Sequence, residues 1–207
     1  IILLISCSTK TSKTILVEAE SFSDKGGWVI DQQWMDQMGS PYLLAHGLGN
    51  PVKDAETKVQ ITVSGTYKIF VRTKDWVACW NAPGTPGKFQ VMIDGKAVDT
   101  VFGTQGADWY WQPGGTISLQ PSTITISLHD LTGFEGRCDA VLLSCDPSLV
   151  LPNTDPDMKK WRRSLLNIPE KPKATGKYDL VVVGGGIAGM CAAISAARLG
   201  LNVALVH

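Results

Sequence analysis

Residues 178–189 read Tyr178-Asp179-Leu180-Val181-Val182-Val183-Gly184-Gly185-Gly186-Ile187-Ala188-Gly189. The apolar run from Leu180 to Val183 is what a strand buried on both faces of a parallel sheet requires. The glycines at 184, 186 and 189 then give the spacing G-x-G-x-x-G. In a strand-to-helix turn the first glycine allows the tight bend. The second lets a pyrophosphate approach the backbone, and the third lets the helix pack close to the strand. The helix start presents free N–H groups and a positive dipole end to phosphate. Ile187, Met190, Cys191, Ile194 and Ala197 fall on one helical stripe, Gly200 stands where a helix ends, and 201–206 supplies a second strand. Such a glycine motif is informative only between a strand and a helix, and it has both here. Residues 178–207 therefore read as the first β-α-β unit of a dinucleotide-binding fold, with Gly184, Gly185, Gly186, Ile187, Ala188 and Gly189 as the cofactor-binding turn. The alternative is a glycine-rich turn of some other α/β protein. Because the pattern stops after the second strand, the sequence is expected to be a fragment, with the catalytic part of an enzyme lying beyond it.

Residues 14–146 follow a different pattern. Short apolar runs at 14–20, 58–63, 66–73, 88–93, 96–102, 123–128 and 138–145 are separated by turn residues. Tyr67, Ile69 and Val71 alternate with Lys68, Phe70 and Arg72. Asp94-Gly95 is a tight-hairpin signal, and Ser64-Gly65 joins two of the runs. No helix-period segment of useful length interrupts them. The expected fold class is mainly β: an antiparallel β-sandwich of jelly-roll type over 14–146, a linker over 147–177, and one truncated β-α-β unit of an α/β fold over 178–207. Pro147, Pro152, Pro156, Pro169 and Pro172 stiffen the linker. A short helix is expected over 158–166, with Trp161 docking on a neighbouring domain.

Composition narrows the function classes. The formal net charge is zero and 18% of residues are charged, which leaves no basic footprint for nucleic acid. Ile1 to Ile5 is an apolar run too short for a bilayer, which takes roughly 20 residues. It is followed by Ser6-Cys7-Ser8 and a polar tether, so residues 1–13 read as the remnant of a secretory signal. Leu4-Ile5-Ser6-Cys7 resembles a bacterial lipobox. That resemblance implies an exported protein, lipid-anchored through Cys7 in the periplasm or at the cell surface. A short buried strand is the alternative. Cys7, Cys79, Cys138, Cys145 and Cys191 match no zinc pattern. Cys138 and Cys145, on one strand, would face opposite sides, and a bridge from Cys79 to either stays open.

Two family resemblances rest on these segments. Val181-Val182-Val183-Gly184-Gly185-Gly186-Ile187-Ala188-Gly189-Met190-Cys191 and its small-residue continuation are similar to the FAD-binding start of flavin-dependent oxidoreductases. The cofactor implied is FAD. That family usually ends its second strand on an acidic residue that holds the adenosine ribose, and His207 occupies or adjoins the position here. In the sandwich, Val17-Glu18-Ala19-Glu20, the segment Gly103 to Trp111, and Gly136-Arg137-Cys138-Asp139-Ala140-Val141 resemble the calcium-containing jelly-roll carbohydrate-binding modules of families six and thirty-five. The likeness covers most of 14–146, with departures at Gln105, Ala107 and Asp108. It implies a carbohydrate partner. It also implies a structural calcium between the first and last strands, held by Glu18 or Glu20 with Asp139, a donor set of the hard oxygens calcium takes. The alternative is an edge strand with solvated carboxylates.

Sugar rings stack on tryptophan and tyrosine, which offer apolar area with a polar handle. The chain has seven tryptophans. Trp76 and Trp80 lie in a Pro/Gly-rich loop at 74–87, and Trp109 and Trp111 share one face if extended. These four are the ligand-binding candidates, since loops on rigid sandwiches carry function. Asp31, Gln32, Gln33, Asp36 and Gln37 offer hydroxyl-binding groups, or form a capping loop. His46 and His129 lack a partner at a telling spacing and read as structural. The function expected is that of an exported FAD-dependent oxidoreductase with an N-terminal carbohydrate-binding-like module, acting on a sugar-related substrate. Two alternatives stand beside it: a non-catalytic glycan-binding module, and a sandwich that serves only packing or oligomerisation. The catalytic residues are expected to lie beyond this sequence.

Overall fold

The computed structural model describes residues 13–154, 156–171, 173–174 and 176–206. Cys7, the expected lipid-anchor position, and His207, at the expected ribose position, lie outside them. The chain divides into two compact units between Ile168 and Pro169.

The first unit runs β1 (Thr14–Glu18), β2 (Val29–Asp31), α1 (Met35–Met38), β3 (Tyr42–His46), β4 (Ala55–Ile61), β5 (Gly65–Thr73), β6 (Phe89–Ile93), β7 (Lys96–Ala97), β8 (Tyr110–Leu119), β9 (Ser122–Asp130), β10 (Phe134–Cys138), β11 (Ala140–Ser144) and α2 (Asp157–Leu165). One sheet has the order β1-β11-β5-β8 and a second β4-β9-β6-β7. A third, β10-β3-β2, completes the unit, and every pair in the three sheets is antiparallel. This is the expected antiparallel sandwich. Its core is the set of alternate residues that period-2 geometry turns inward. Val17, Tyr67, Ile69, Val71, Val141 and Leu143 from the first sheet join Val59, Ile61, Val91, Ile93, Ile126 and Leu128 from the second. Asp94 and Gly95 both have positive φ, and Ile93 pairs with Lys96, so the predicted tight hairpin forms.

Several boundaries differ from the sequence expectation. The run at 138–145 is two strands, β10 and β11, which break at Asp139 and belong to different sheets. Cys138 and Cys145 both pack with the main core, and the described cysteines Cys79, Cys138, Cys145 and Cys191 are free thiols. The strand expected over 96–102 is only Lys96–Ala97, with an isolated bridge from Phe102 to Phe89.

Residues 147–154 and 156–168, expected as part of the linker, fold onto the sandwich. Helix α2 covers the outer face of the first sheet, where Met158, Trp161 and Leu165 meet Leu16, Trp111 and Leu142. Asp157 in the first turn and Arg162 and Arg163 in the last complement the helix dipole. Trp161 therefore docks on the preceding sandwich.

The second unit holds β12 (Leu180–Val183), α3 (Ile187–Arg198) and β13 (Val203–Val206). The two strands are parallel, in register from Leu180 with Val203 to Val183 with Val206. The helix packs on them through Ala193 and Ala196. This corrects the expected stripe, since Ile187, Met190, Cys191, Ile194 and Ala197 are all exposed. Helix and strands approach so closely at Gly189 that only small side chains fit between them.

Candidate functional site

Three places gather chemistry-bearing side chains. The first is the end of the sheet where β1, β11 and β5 meet. Glu18 pairs with Ala140, and Ala140 pairs with Arg72. The Ala19 N–H donates to the Asp139 carbonyl and the Asp139 N–H to the Arg72 carbonyl, each at 2.9 Å. β1 ends at Glu18, and a single 3-10 turn over Ala19–Ser21 carries Glu20, so the two glutamates do not stand on one strand. The turn nevertheless brings Glu20 back, and carboxylate oxygens of Glu18, Glu20 and Asp139 lie within 4.8 Å of one another.

What faces these carboxylates is the guanidinium of Arg162, from α2. Its Nε donates to Glu18 Oε1 at 2.9 Å, and Nη2 donates to Glu18 Oε2. Nη1 donates to Asp139 Oδ2 at 2.9 Å and to the Met38 carbonyl at 3.0 Å. Nη2 also reaches Ser40 Oγ at 3.0 Å and Asp139 Oδ1 at 3.3 Å. A second guanidinium, Arg72, lies with its Nε 3.2 Å from Asp139 Oδ2. Burial pushes the Asp139 carboxyl up to about 6, against the pull of Arg162. Burial and then the Glu18 charge push Glu20 up to about 8. Burial alone would lower the Arg162 pKa, but the Asp139 charge and the bonds to Glu18 outweigh it and raise it.

These residues do not fit the structural calcium expected from the sequence. Calcium takes six to eight oxygen ligands. Here both oxygens of Glu18 and both of Asp139 already accept N–H groups. Glu20 Oε2, by contrast, is buried with no hydrogen-bond partner.

The second place is the loop between β5 and β6. Trp76 and Trp80 meet edge to face, their rings 5.9 Å apart. The Trp76 Nε1–H donates to the Phe134 carbonyl at 3.1 Å, and the Arg137 guanidinium lies 5.2 Å from the Trp76 ring centre. This anchors Trp76 and leaves Trp80 outside, 68% exposed. The other two sugar candidates are corrected. Trp109 is 3% exposed and packs edge to face on Tyr42, and Trp111 is 7% exposed and packs on Trp161. The Trp111 Nε1–H donates to the Pro152 carbonyl at 3.1 Å. Both rings fill space inside the unit and offer no face to a sugar. Asp31 is also structural, accepting the Tyr42 hydroxyl at 2.7 Å. Asp36 and Gln37 line a cleft with Asp108, Asn153 and the rim of Trp109. The two histidines have carboxylate partners that spacing did not reveal. Nδ1 of His46 lies 3.1 Å from Glu135, and that of His129 lies 2.8 Å from Asp54.

The third place is the glycine turn. Gly184 has φ +106°, which only glycine adopts without strain. A Cβ on Gly189 would overlap the Gly184 carbonyl oxygen and lie 3.3 Å from Val182 Cγ1. A Cβ on Gly186 would meet nothing within 4 Å, so the backbone there is open to a ligand. Gly186 enters the helix in an extended conformation. The first N–H groups of α3 have no intrahelical acceptor. Each glycine therefore does what the motif requires, and the turn fits a dinucleotide pyrophosphate.

Comparison with known proteins gives one family match and a set of distant structural likenesses. The family model described as FAD dependent oxidoreductase matches residues 179–207. No curated protein matches the chain. Solved structures similar to it include a family 35 carbohydrate-binding module from Clostridium thermocellum, with 18% identity, a TM-score of 0.48, and 64% of this chain and 98% of that one covered. Another is the C-terminal family 6 module of a marine laminarinase from Zobellia galactanivorans, at 18% identity and TM-score 0.46, covering 63% and 98%. A third is a family 35 module from Paenibacillus barcinonensis, at 14% identity and TM-score 0.49, covering 63% and 98%. Likenesses this distant carry no inference about ligands.

Proposed function

We propose that the glycine turn of residues 184–189 holds the pyrophosphate of FAD in an oxidoreductase, and that the β-sandwich is its glycan-contacting module. The observation that carries the first part is the division of labour among the glycines: Gly184 supplies the bend, Gly189 the close packing, and Gly186 the open backbone. The family match at 179–207 supports it. A flavin, when bound, accepts a hydride from the substrate. The residues of this chain bind and orient the cofactor. Backbone N–H groups of the turn and the start of α3 would donate to the phosphates of a bound FAD, and the helix dipole would add positive potential there.

The glycan part rests on Trp80. A large aromatic ring, exposed and braced edge-on by an anchored Trp76, is suited to stack on the apolar face of a pyranose. A sugar-related substrate for the flavin follows only from that neighbour. The proposal includes export and a lipid anchor at Cys7, supported by Leu4-Ile5-Ser6-Cys7.

The test is flavin content. The full-length gene product, purified and denatured, should release about one FAD per chain. Gly186→Val should release little while keeping the wild-type secondary structure. A full-length protein without flavin, or an unchanged content in Gly186→Val, would overturn the proposal. The packing-module alternative is favoured if a glycan array on the protein gives no signal that depends on Trp80.

A further inference from the structure

We infer that Arg162 is a built-in replacement for a divalent cation: its guanidinium occupies the carboxylate cluster at the edge of the sandwich and makes that fold independent of calcium. Three carboxylates with oxygens within 4.8 Å of one another need a counter-charge. Glu18 and Asp139 are buried, so water cannot screen them, and breaking such an arrangement by removing one partner is strongly destabilising. A divalent ion is one solution. The chain uses another.

The geometry accounts for the whole guanidinium. Arg162 is 5% exposed. It grips Glu18 with a two-pronged contact through Nε and Nη2, the arrangement in which arginine binds a carboxylate most strongly. Its remaining N–H groups go to Asp139, Ser40 Oγ and the Met38 carbonyl. An ammonium or an ion without directional donors would not reproduce this pattern. Charge counting agrees. Glu18, Glu20 and Asp139 carry at most three negative charges, and Arg162 and Arg72 carry two positive ones. A divalent ion added to this set would leave excess positive charge in a buried place. It would also have to take oxygens already bonded to N–H groups.

The neighbours of Arg162 on the same helix face, Met158, Trp161 and Leu165, are packed on the sheet. The residue stands 144 positions from Glu18 and 23 from Asp139, so the cation arrives only when the segment after the last strand folds back. The sandwich and α2 are thus one folding unit, clamped at Glu18 and Asp139.

The experiment is a calcium titration of the complete chain, read by thermal unfolding and by terbium luminescence. For the wild type, neither calcium chloride nor a chelator should shift the melting temperature, and terbium should show no sensitised emission from the cluster. Arg162→Met keeps an apolar stem on the helix face but removes the charge. It should melt lower and gain a calcium response, a rise of about 5–11 °C at a hundredfold excess over the dissociation constant. Asp139→Asn added to Arg162→Met should abolish that rise. A wild-type melting temperature that climbs with calcium and falls with chelator would overturn the inference. So would an Arg162→Met protein that folds yet shows no calcium response. If that variant folds neither with nor without calcium, the wild-type titration alone decides.

Discussion

Trp111→Ala should separate the sandwich from its covering helix. Trp111 stands on β8, and its ring meets Trp161 of α2 edge to face at 5.7 Å and 77°. It shares a buried cluster with Leu16, Ala140, Leu142 and Met158. Truncating a buried tryptophan to alanine costs about 3–5 kcal/mol. The Pro152 carbonyl also loses the indole N–H, which adds about 1 kcal/mol where the site cannot rehydrate. For a unit of this size each kcal/mol lowers the melting temperature by about 2–4 °C, so a total of about 3–6 kcal/mol predicts a fall of roughly 6–24 °C. Calorimetry of the complete chain measures it, with hydrogen exchange reporting the α2 amides. Those amides should lose protection before the strands of the main core do. Trp161→Ala should fall in the same range, and the double variant should fall by less than the sum, because the aromatic pair contributes about 0.5–1.5 kcal/mol once only. If Trp111→Ala melts within about 2 °C of the wild type and α2 keeps its protection, the helix is not held by this cluster and the docking described here is wrong.

Three further outcomes follow from named contacts. Glu20 has its pKa raised to about 8 in the folded protein, so folding favours its protonated form. That contribution is complete below the ordinary glutamate range and is lost as pH rises towards 8; Asp139, raised to about 6, acts in the same direction at lower pH. Glu20→Gln should therefore lose less stability than the wild type between pH 5 and pH 8, as melting curves across that range will show. Gly189→Ala forces α3 away from β12, because its Cβ would overlap the Gly184 carbonyl oxygen. The full-length protein carrying it should lose flavin, measured as FAD released on denaturation, and a normal content would count against the packing role. Trp80→Ala removes an exposed ring and should change stability by no more than about 0.5 kcal/mol, while glycan-array signal falls. Unchanged glycan signal would remove Trp80 from the site.

The parts of the fold that sequence revealed are those with one buried face. β5, β6 and β9 alternate because one side of each meets the main core. β3 escaped because Tyr42, Leu43, Leu44 and Ala45 are all buried. Leu43 and Ala45 face the main core, while Tyr42 and Leu44 pack with Met38 and Trp109, so no alternation appears. β8 escaped because Pro113, Gly114 and Gly115 read as breakers. As an edge strand with a register shift opposite β5, it tolerates them. The backbone geometry of the glycine turn was legible, since the bend at Gly184 and the close approach at Gly189 are local backbone properties. The helix stripe was not. Close approach at Gly189 selects Ala193 and Ala196 for the strand side and sends the larger apolar residues outward. The cluster at Glu18 and Asp139 was visible only through resemblance, and its cation was missed. One signal was available. In the helix expected over 158–166, Arg162 falls between Met158 and Leu165 on the apolar stripe. A charge on an inward face requires a buried partner of opposite sign.

Whether residues 184–189 hold the FAD pyrophosphate is decided by a crystal structure of the full-length protein with FAD bound. Pyrophosphate density is expected over Gly186, accepting hydrogen bonds from backbone N–H groups at the start of α3, with Gly189 packed against Gly184. Flavin density elsewhere, with the turn bare or filled by another element of the protein, would contradict it.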